Sequence, residues 1–492
     1  MKQFFRKSIA AILTGAMVAT SMTITAFAEE TATPAPEEVP VSEEIASDVV
    51  TTNEEVTNDG VAIDAETTAE APVPTEVGTY KKVQEIHDWG AATSKVVVAL
   101  GESVRNIEKD AFKVYVTRTD ERVEEKPVLE QGYRKVTSIY VSDADGNKVT
   151  TGEYATIEME IGPKVTLGSP LNYYDGSNVW IDCDYIITQQ KEIQTVDNKV
   201  ISGLEITEMN DVVIPLVNEF DIASSTQNDE RFGEITMSYA SYDPTKRLSS
   251  ETKSKFPLII WLHGGGEGGT DATIPLSANK ACNLASPEIQ RYFGGAYVLV
   301  PQAPTKWMDD GVNENTSGNL KTNADSMYSK VLMDLIKEYV AANDNIDESR
   351  IYVGGCSNGG FMTMRLLLDN PRYFAAAYSV CEGMKNEFIT DEDIEKLKGE
   401  NIWFVTAATD TTLPAPMYTL PTYDRLIKAG AQNVHLTYFE RVIDTTGKYK
   451  TNGNPYEYDG HWTWTYVYNN LVDTLIDGKT VTLMNWMANQ TR

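Results

Sequence analysis

The chain has 492 residues, 41% of them hydrophobic and 23% charged, and 42 Lys+Arg against 72 Asp+Glu give a formal net charge of -30. That length allows two or three domains and that composition allows ordinary cores, so a wholly disordered or fibrous protein is excluded. So acidic a surface repels phosphate backbones and anionic headgroups, which excludes a general nucleic-acid or membrane-surface binder.

Lys2, Arg6 and Lys7 precede an apolar, small-residue run from Ile9 to about Thr25, which leads into Ala26-Phe27-Ala28. A basic start, an apolar middle and an A-x-A exit predict a secretory signal peptide over residues 1–28, with cleavage after Ala28. The segment has no cysteine to accept a lipid, so the expected product is exported and released, with no membrane attachment after cleavage. Residues 29–75 are rich in Glu, Thr, Pro, Ala and Val, hold thirteen acids and lack Lys and Arg. Such a segment has too little apolar surface to offset its ordering entropy and reads as a disordered, self-repelling spacer. Without the three bases of the signal and the thirteen acids of the spacer, the remaining chain still carries a formal charge of -20.

Residues 76–218 show short alternating or β-branched runs, such as Lys95–Leu100, Phe112–Thr117, Val136–Val141, Tyr154–Met159 and Cys183–Ile187. Turn signals at Asp145-Gly146-Asn147 and Asp175-Gly176-Ser177 separate them, and no stretch carries a long helical period. The pattern predicts an all-β, immunoglobulin-like sandwich that either binds something or buttresses its neighbour.

Residues 219–492 change rhythm. Phe256–His263 is a continuous apolar strand, as burial on both faces requires, and Ala296–Val300 is another. A helix is expected from Asn323 to about Ala342, a strand at Arg350–Gly354, a helix from Gly359 to Leu368 and a strand at Phe374–Ser379. Strands at Ile402–Thr406 and Val434–Phe439 follow, with a closing helix from Thr463 to Ile476. Alternating βα units imply a mostly parallel sheet flanked by helices, with ligands at the carboxyl ends of its strands.

Gly355-Cys356-Ser357-Asn358-Gly359 sits between a predicted strand and a predicted helix. A sharp strand-to-helix turn lifts a serine hydroxyl to the top of the sheet, which makes Ser357 the candidate nucleophile. Serine needs a base, and there are four histidines. His87 belongs to the β region, His263 leads into a glycine loop that it orders, and His435 alternates within a strand. His461, in a late loop before the last helix, is the candidate base. Asp410, just after the Ile402–Thr406 strand, is the carboxylate to orient it; Asp391, Asp393 and Asp424 fall in helical segments and Asp459 is too near His461. The oxyanion hole draws on the amide of Asn358 and on Gly265 or Gly266 in His263-Gly264-Gly265-Gly266-Glu267-Gly268-Gly269. That loop lacks the Lys-Ser/Thr of a phosphate cradle, and Glu267 would repel phosphate. Glu267, Trp307 and Trp462, with Trp464, are candidate substrate-pocket residues.

Together, the glycine loop, Pro301-Gln302-Ala303-Pro304, Gly355–Gly360 and Asp459-Gly460-His461-Trp462 resemble secreted bacterial α/β-hydrolase esterases with an N-terminal Ig-like domain. This branch lies near the predicted peptidases and the feruloyl and polyhydroxybutyrate-depolymerase-type esterases. The likeness covers most of residues 220–492, and His87-Asp88-Trp89-Gly90 resembles the start of the Ig-like module. It implies Ser357, Asp410 and His461 as a catalytic triad, with Gly265 replacing the alanine common in relatives' H-G-A-G-E loop. The expected activity is carboxylic-ester hydrolysis on a small-molecule or polymer-linked ester, with no metal or cofactor. A secreted peptidase of prolyl-oligopeptidase type is the alternative, although the roughly 140 residues before Asn218 are too few for the usual propeller. Cys183, Cys282, Cys356 and Cys381 are too sparse for a disulfide framework and are expected as buried thiols.

Overall fold

The computed structural model describes residues 77–247, 255–312 and 325–492, so the signal (1–28) and spacer (29–75) read from the sequence lie outside the described residues. The first region is built from β1 (Thr79–His87), β2 (Gly90–Val104), β3 (Phe112–Thr119), β4 (Val128–Arg134), β5 (Val136–Ser142) and β6 (Gly152–Met159). Then come β7 (Leu171–Tyr174), β8 (Ser177–Trp180), β9 (Asp182–Gln189), β10 (Ile193–Gln194), β11 (Val200–Ile201), β12 (Glu205–Ile206) and β13 (Glu208–Val213).

A five-stranded sheet, β13-β1-β2-β6-β5, faces a four-stranded one, β12-β9-β3-β4. Burial alternates along β3 and β9, so their inward residues, among them Val114, Val116, Tyr185 and Ile187, meet Val96, Val98 and Ile157 of the other sheet in one core. The hairpin β7–β8 stands apart from both sheets. Its two-residue turn, Asp175-Gly176, has φ of 48° and 75°, the left-handed pair that matches strand twist in a type I′ turn.

The second region adds β14 (Asp221–Asp229), β15 (Gly233–Tyr242), β16 (Phe256–Leu262), β17 (Tyr297–Gln302), β18 (Ile346–Cys356), β19 (Ala376–Val380), β20 (Ile402–Ala407) and β21 (Val434–Phe439). They form one sheet ordered β14-β15-β17-β16-β18-β19-β20-β21. β15 is antiparallel to both neighbours, and β17 through β21 run parallel. Every residue of β16, β17, β19 and β20 is buried, because helices cover both faces. The helices are α1 (Thr273–Ala278), α2 (Pro287–Phe293), α3 (Ser329–Ala342), α4 (Asn358–Asp369), α5 (Asp391–Leu397), α6 (Thr419–Lys428), α7 (Trp464–Tyr468) and α8 (Leu483–Ala488). One face packs on α1, α2, α7 and α8, and the other on α3 to α6. This is the α/β-hydrolase fold preceded by an Ig-like sandwich.

The expected closing helix is the main departure. It stops after five residues, where Asn470 turns to φ 50°, and a hairpin Asp473–Ile476/Lys479–Thr482 follows. That hairpin turns through Asp477-Gly478, both at positive φ, a local signal that the apolar pattern around it masks. The four cysteines are buried and free, and no described helix is long and apolar enough to cross a membrane.

Candidate active site

Ser357 follows β18 and precedes α4, with φ 57° and ψ -113°, a conformation a non-glycine residue holds only when its surroundings enforce it. The glycines around it show how. A Cβ on Gly359 would lie 2.0 Å from the Leu262 carbonyl oxygen, and one on Gly355 would lie 2.5 Å from the same atom. Helix α4 can therefore approach the sheet only on bare backbone, and the Ser357 amide donates to the Val380 carbonyl at 2.9 Å.

Asp410 lies three residues beyond β20 and is buried. Its Oδ1 accepts from the backbone amides of Thr412 (2.9 Å) and Leu413 (2.8 Å), which aims Oδ2 at His461 Nδ1, 2.8 Å away. Gly460 permits this pairing, since a Cβ there would lie 2.3 Å from the Thr409 backbone. With Nδ1–H donating to Asp410, Nε2 is left as the basic nitrogen. Burial by itself disfavours the imidazolium, but Cys381 and Asp410 beside it raise the His461 pKa above that of an ordinary histidine. The Cys381 thiol donates to the His461 carbonyl at 3.2 Å. Cys381, Asp410 and His461 are the only described group with donor atoms close enough, within 4.8 Å, to hold a metal, and two of its members already bond each other.

Ser357, Asn358, Gly265, Gly266, Glu267, His461, Trp462 and Trp464 line a single cavity of about 720 Å³. Gly265 lies against Asn358, its Cβ position 3.8 Å from that of Asn358, which puts the two expected oxyanion-hole segments side by side. His263 is fully buried and held neutral, its pKa lowered to about 4 by burial. Its Nε2 accepts from the Ala303 amide at 3.0 Å and its Nδ1 bonds the Gly264 carbonyl at 2.6 Å, so it orders the glycine loop. His435 is half-buried between Trp403 and Trp486 and bonds Asn433, a packing role.

Trp307 corrects the pocket expectation. It is fully buried, its indole donates to the His263 carbonyl at 3.1 Å, and it belongs to the core beneath the loop, while Lys306 and Met308 on either side line the cavity. Sequence proximity to the loop is real, but the alternation of the chain at 306–308 turns the indole inward. Burial pushes the Glu267 carboxyl up to about 7, partly offset by the amides of Asn178 and Asn279 and the Gly264 backbone.

The sandwich gave no catalytic signal in the sequence, yet it walls the cavity with Asp88, Trp89, Leu171, Tyr173 and Asn178. Asp88, itself buried, pairs with Lys280 at 2.9 Å and accepts from Asn469 at 3.1 Å, and Trp180 donates to Thr273 at 2.8 Å. Trp89 packs edge-on against Tyr449. The Asp175-Gly176 tract was visible as a turn, but nothing local says which turn of a sandwich faces a neighbouring domain.

Residues 79–202 match the family described as the esterase Ig-like N-terminal domain, and residues 325–414 match the prolyl oligopeptidase family. The crystal structure of a thermostable esterase is similar at 22% identity, with a TM-score of 0.66 over 85% of this chain and 100% of that one. A Pyrococcus horikoshii acylaminoacyl peptidase (16% identity, TM-score 0.33, 53% of this chain and 43% of that) and a ferulic acid esterase (12%, 0.35, 51% and 97%) superpose far less well. No curated protein matches the chain. The family matches and the fold make the chain an α/β serine hydrolase carrying an esterase-type Ig-like N-terminal domain.

Proposed function

We propose that this hydrolase cleaves carboxylic esters through Ser357, His461 and Asp410. The observation that carries the reading is the 2.8 Å Asp410–His461 bond opening onto the same cavity as a serine strained into a strand-to-helix turn. His461 Nε2 takes the Ser357 hydroxyl proton as Oγ attacks the ester carbonyl, and the tetrahedral oxyanion is held by the amides of Asn358 and Gly265 or Gly266. On collapse the ester C–O bond breaks, the imidazolium gives its proton to the departing alkoxide, and an acyl-enzyme and an alcohol result. Water, deprotonated by the same imidazole, then releases the carboxylic acid and regenerates Ser357. Asp410 fixes the tautomer and stabilises the imidazolium without taking its proton. Glu267 and Trp462 line the substrate cavity.

The bond is assigned as an ester because the N-terminal module is of a kind described with esterases, and the well-superposed solved relative is described as one. Peptide cleavage is the second reading, favoured by the prolyl oligopeptidase match over residues 325–414. The basic-apolar-small pattern of residues 1–28 supports secretion, and the substrate is a free or polymer-linked ester outside the cell. The mechanism needs no cofactor.

Fluorophosphonate labelling followed by peptide mapping tests the nucleophile, and wild type should be labelled on Ser357 while S357A is neither labelled nor active. Parallel nitrophenyl esters and chromogenic amides test the bond. Amide turnover with negligible ester turnover would overturn the ester reading in favour of the peptidase one.

A further inference from the structure

The glycine loop is held from two sides. On the catalytic side, Gln302 donates to the Glu267 carbonyl at 2.9 Å and the Gly269 amide donates to Ala303 at 2.9 Å. On the sandwich side, Asn178 of β8 donates through Nδ2 to Glu267 Oε1 at 2.8 Å, a bond between residues 89 positions apart. The hairpin also presses on the loop's backbone: a Cβ on Gly266 would lie 2.9 Å from the Tyr173 ring and 3.2 Å from Asn178 Nδ2. The next residue inward, Gly265, abuts Asn358 beside the nucleophile. Glu267 is buried, and its carboxyl also faces the Asn279 amide and the Gly264 backbone, while its bond to Asn178 is the one that reaches into the sandwich. A buried carboxyl is tolerated only while its hydrogen bonds are kept, so the bond to Asn178 constrains where Glu267 and its loop can sit.

We propose that the sandwich completes the catalytic centre: through Asn178, the β7–β8 hairpin holds Glu267 and thereby fixes the Gly265 amide opposite Asn358. Asn178 and Glu267 are positioning residues, acting on the oxyanion through the loop they brace. The inference rests on the esterase reading, because the Gly265 amide matters only if Ser357 attacks a carbonyl. The Glu267 pKa, raised by burial to about 7, agrees with it, since such a carboxyl carries less negative charge behind the developing oxyanion at neutral pH than a solvated one would.

The test is steady-state hydrolysis of p-nitrophenyl butyrate by the full chain as wild type, S357A, N178A, E267A, E267Q, N178A/E267A and W180F. A loop displaced by a fraction of an ångström should cost N178A and E267A roughly 10- to 100-fold in kcat with KM within about twofold. The double variant should be no slower than the slower single one. E267Q, whose amide carbonyl still accepts from Asn178, should recover most of the loss seen in E267A. W180F removes the neighbouring Trp180–Thr273 bond of the same hairpin and should keep wild-type kcat, separating loop positioning from mere docking.

Wild-type activity in S357A would overturn the esterase reading and this inference with it. An inert S357A beside wild-type kcat in N178A and E267A would overturn the inference alone. So would a rise in KM at constant kcat, or an equal loss in W180F.

Discussion

Replacing Glu267 by glutamine removes a buried ionisable group while keeping its shape and its acceptor for Asn178. The wild-type carboxyl has its pKa raised by burial from 4.5 to about 7. The folded state therefore holds that proton more tightly than the unfolded chain. A raised acid stabilises the fold fully only below its unfolded value, and the contribution is lost as pH climbs from about 4.5 towards 7, then levels off. A shift of this size, at about 1.4 kcal/mol per unit, corresponds to about 3 kcal/mol, most of which falls between pH 5 and pH 8.5. Other titrating groups are common to both proteins and cancel in the comparison. Urea unfolding followed by tryptophan fluorescence, at those two pH values, should show E267Q gaining about 2 to 3 kcal/mol relative to wild type on going from pH 5 to pH 8.5. An identical stability difference at both pH values would show that Glu267 titrates like a solvated carboxyl and would refute the burial argument.

Asp410→Asn keeps the volume but lets the imidazole take the wrong tautomer, so kcat for ester hydrolysis should fall by roughly 10³- to 10⁴-fold with little change in KM. Because the raised His461 pKa must be exceeded before Nε2 is free, wild-type kcat/KM should rise with pH through an apparent value above 6.5, and that midpoint should move down in D410N. Gly359→Ala places a methyl 2.0 Å from the Leu262 carbonyl oxygen, so it should destabilise the catalytic domain by about 3 kcal/mol or more, read as a lowered thermal midpoint, and displace Ser357.

The candidate site of this protein was legible wherever it depends on local backbone. Ser357 was identifiable because a strand-to-helix turn demands small neighbours, and Gly355 and Gly359 supply them against the Leu262 carbonyl. Asp410 and His461 were identifiable by elimination, since four histidines leave few bases and one aspartate follows the right strand. The parallel sheet was legible because strands buried on both faces must be continuously apolar, as β16 and β20 are. The break in the closing helix at Asn470 was hidden by an apolar pattern that suits a helix and a hairpin equally.

Composition and pattern alone determined the two-part build, the acidic character and the three candidate catalytic side chains, because each is readable from residue counts, local periodicity or short motifs. Only the tertiary structure decided that Trp307 points into the core, that Gly265 meets Asn358, and that a sandwich hairpin reaches Glu267. Those outcomes depend on how two separately patterned surfaces dock, and a docking angle leaves no periodicity in either partner's sequence.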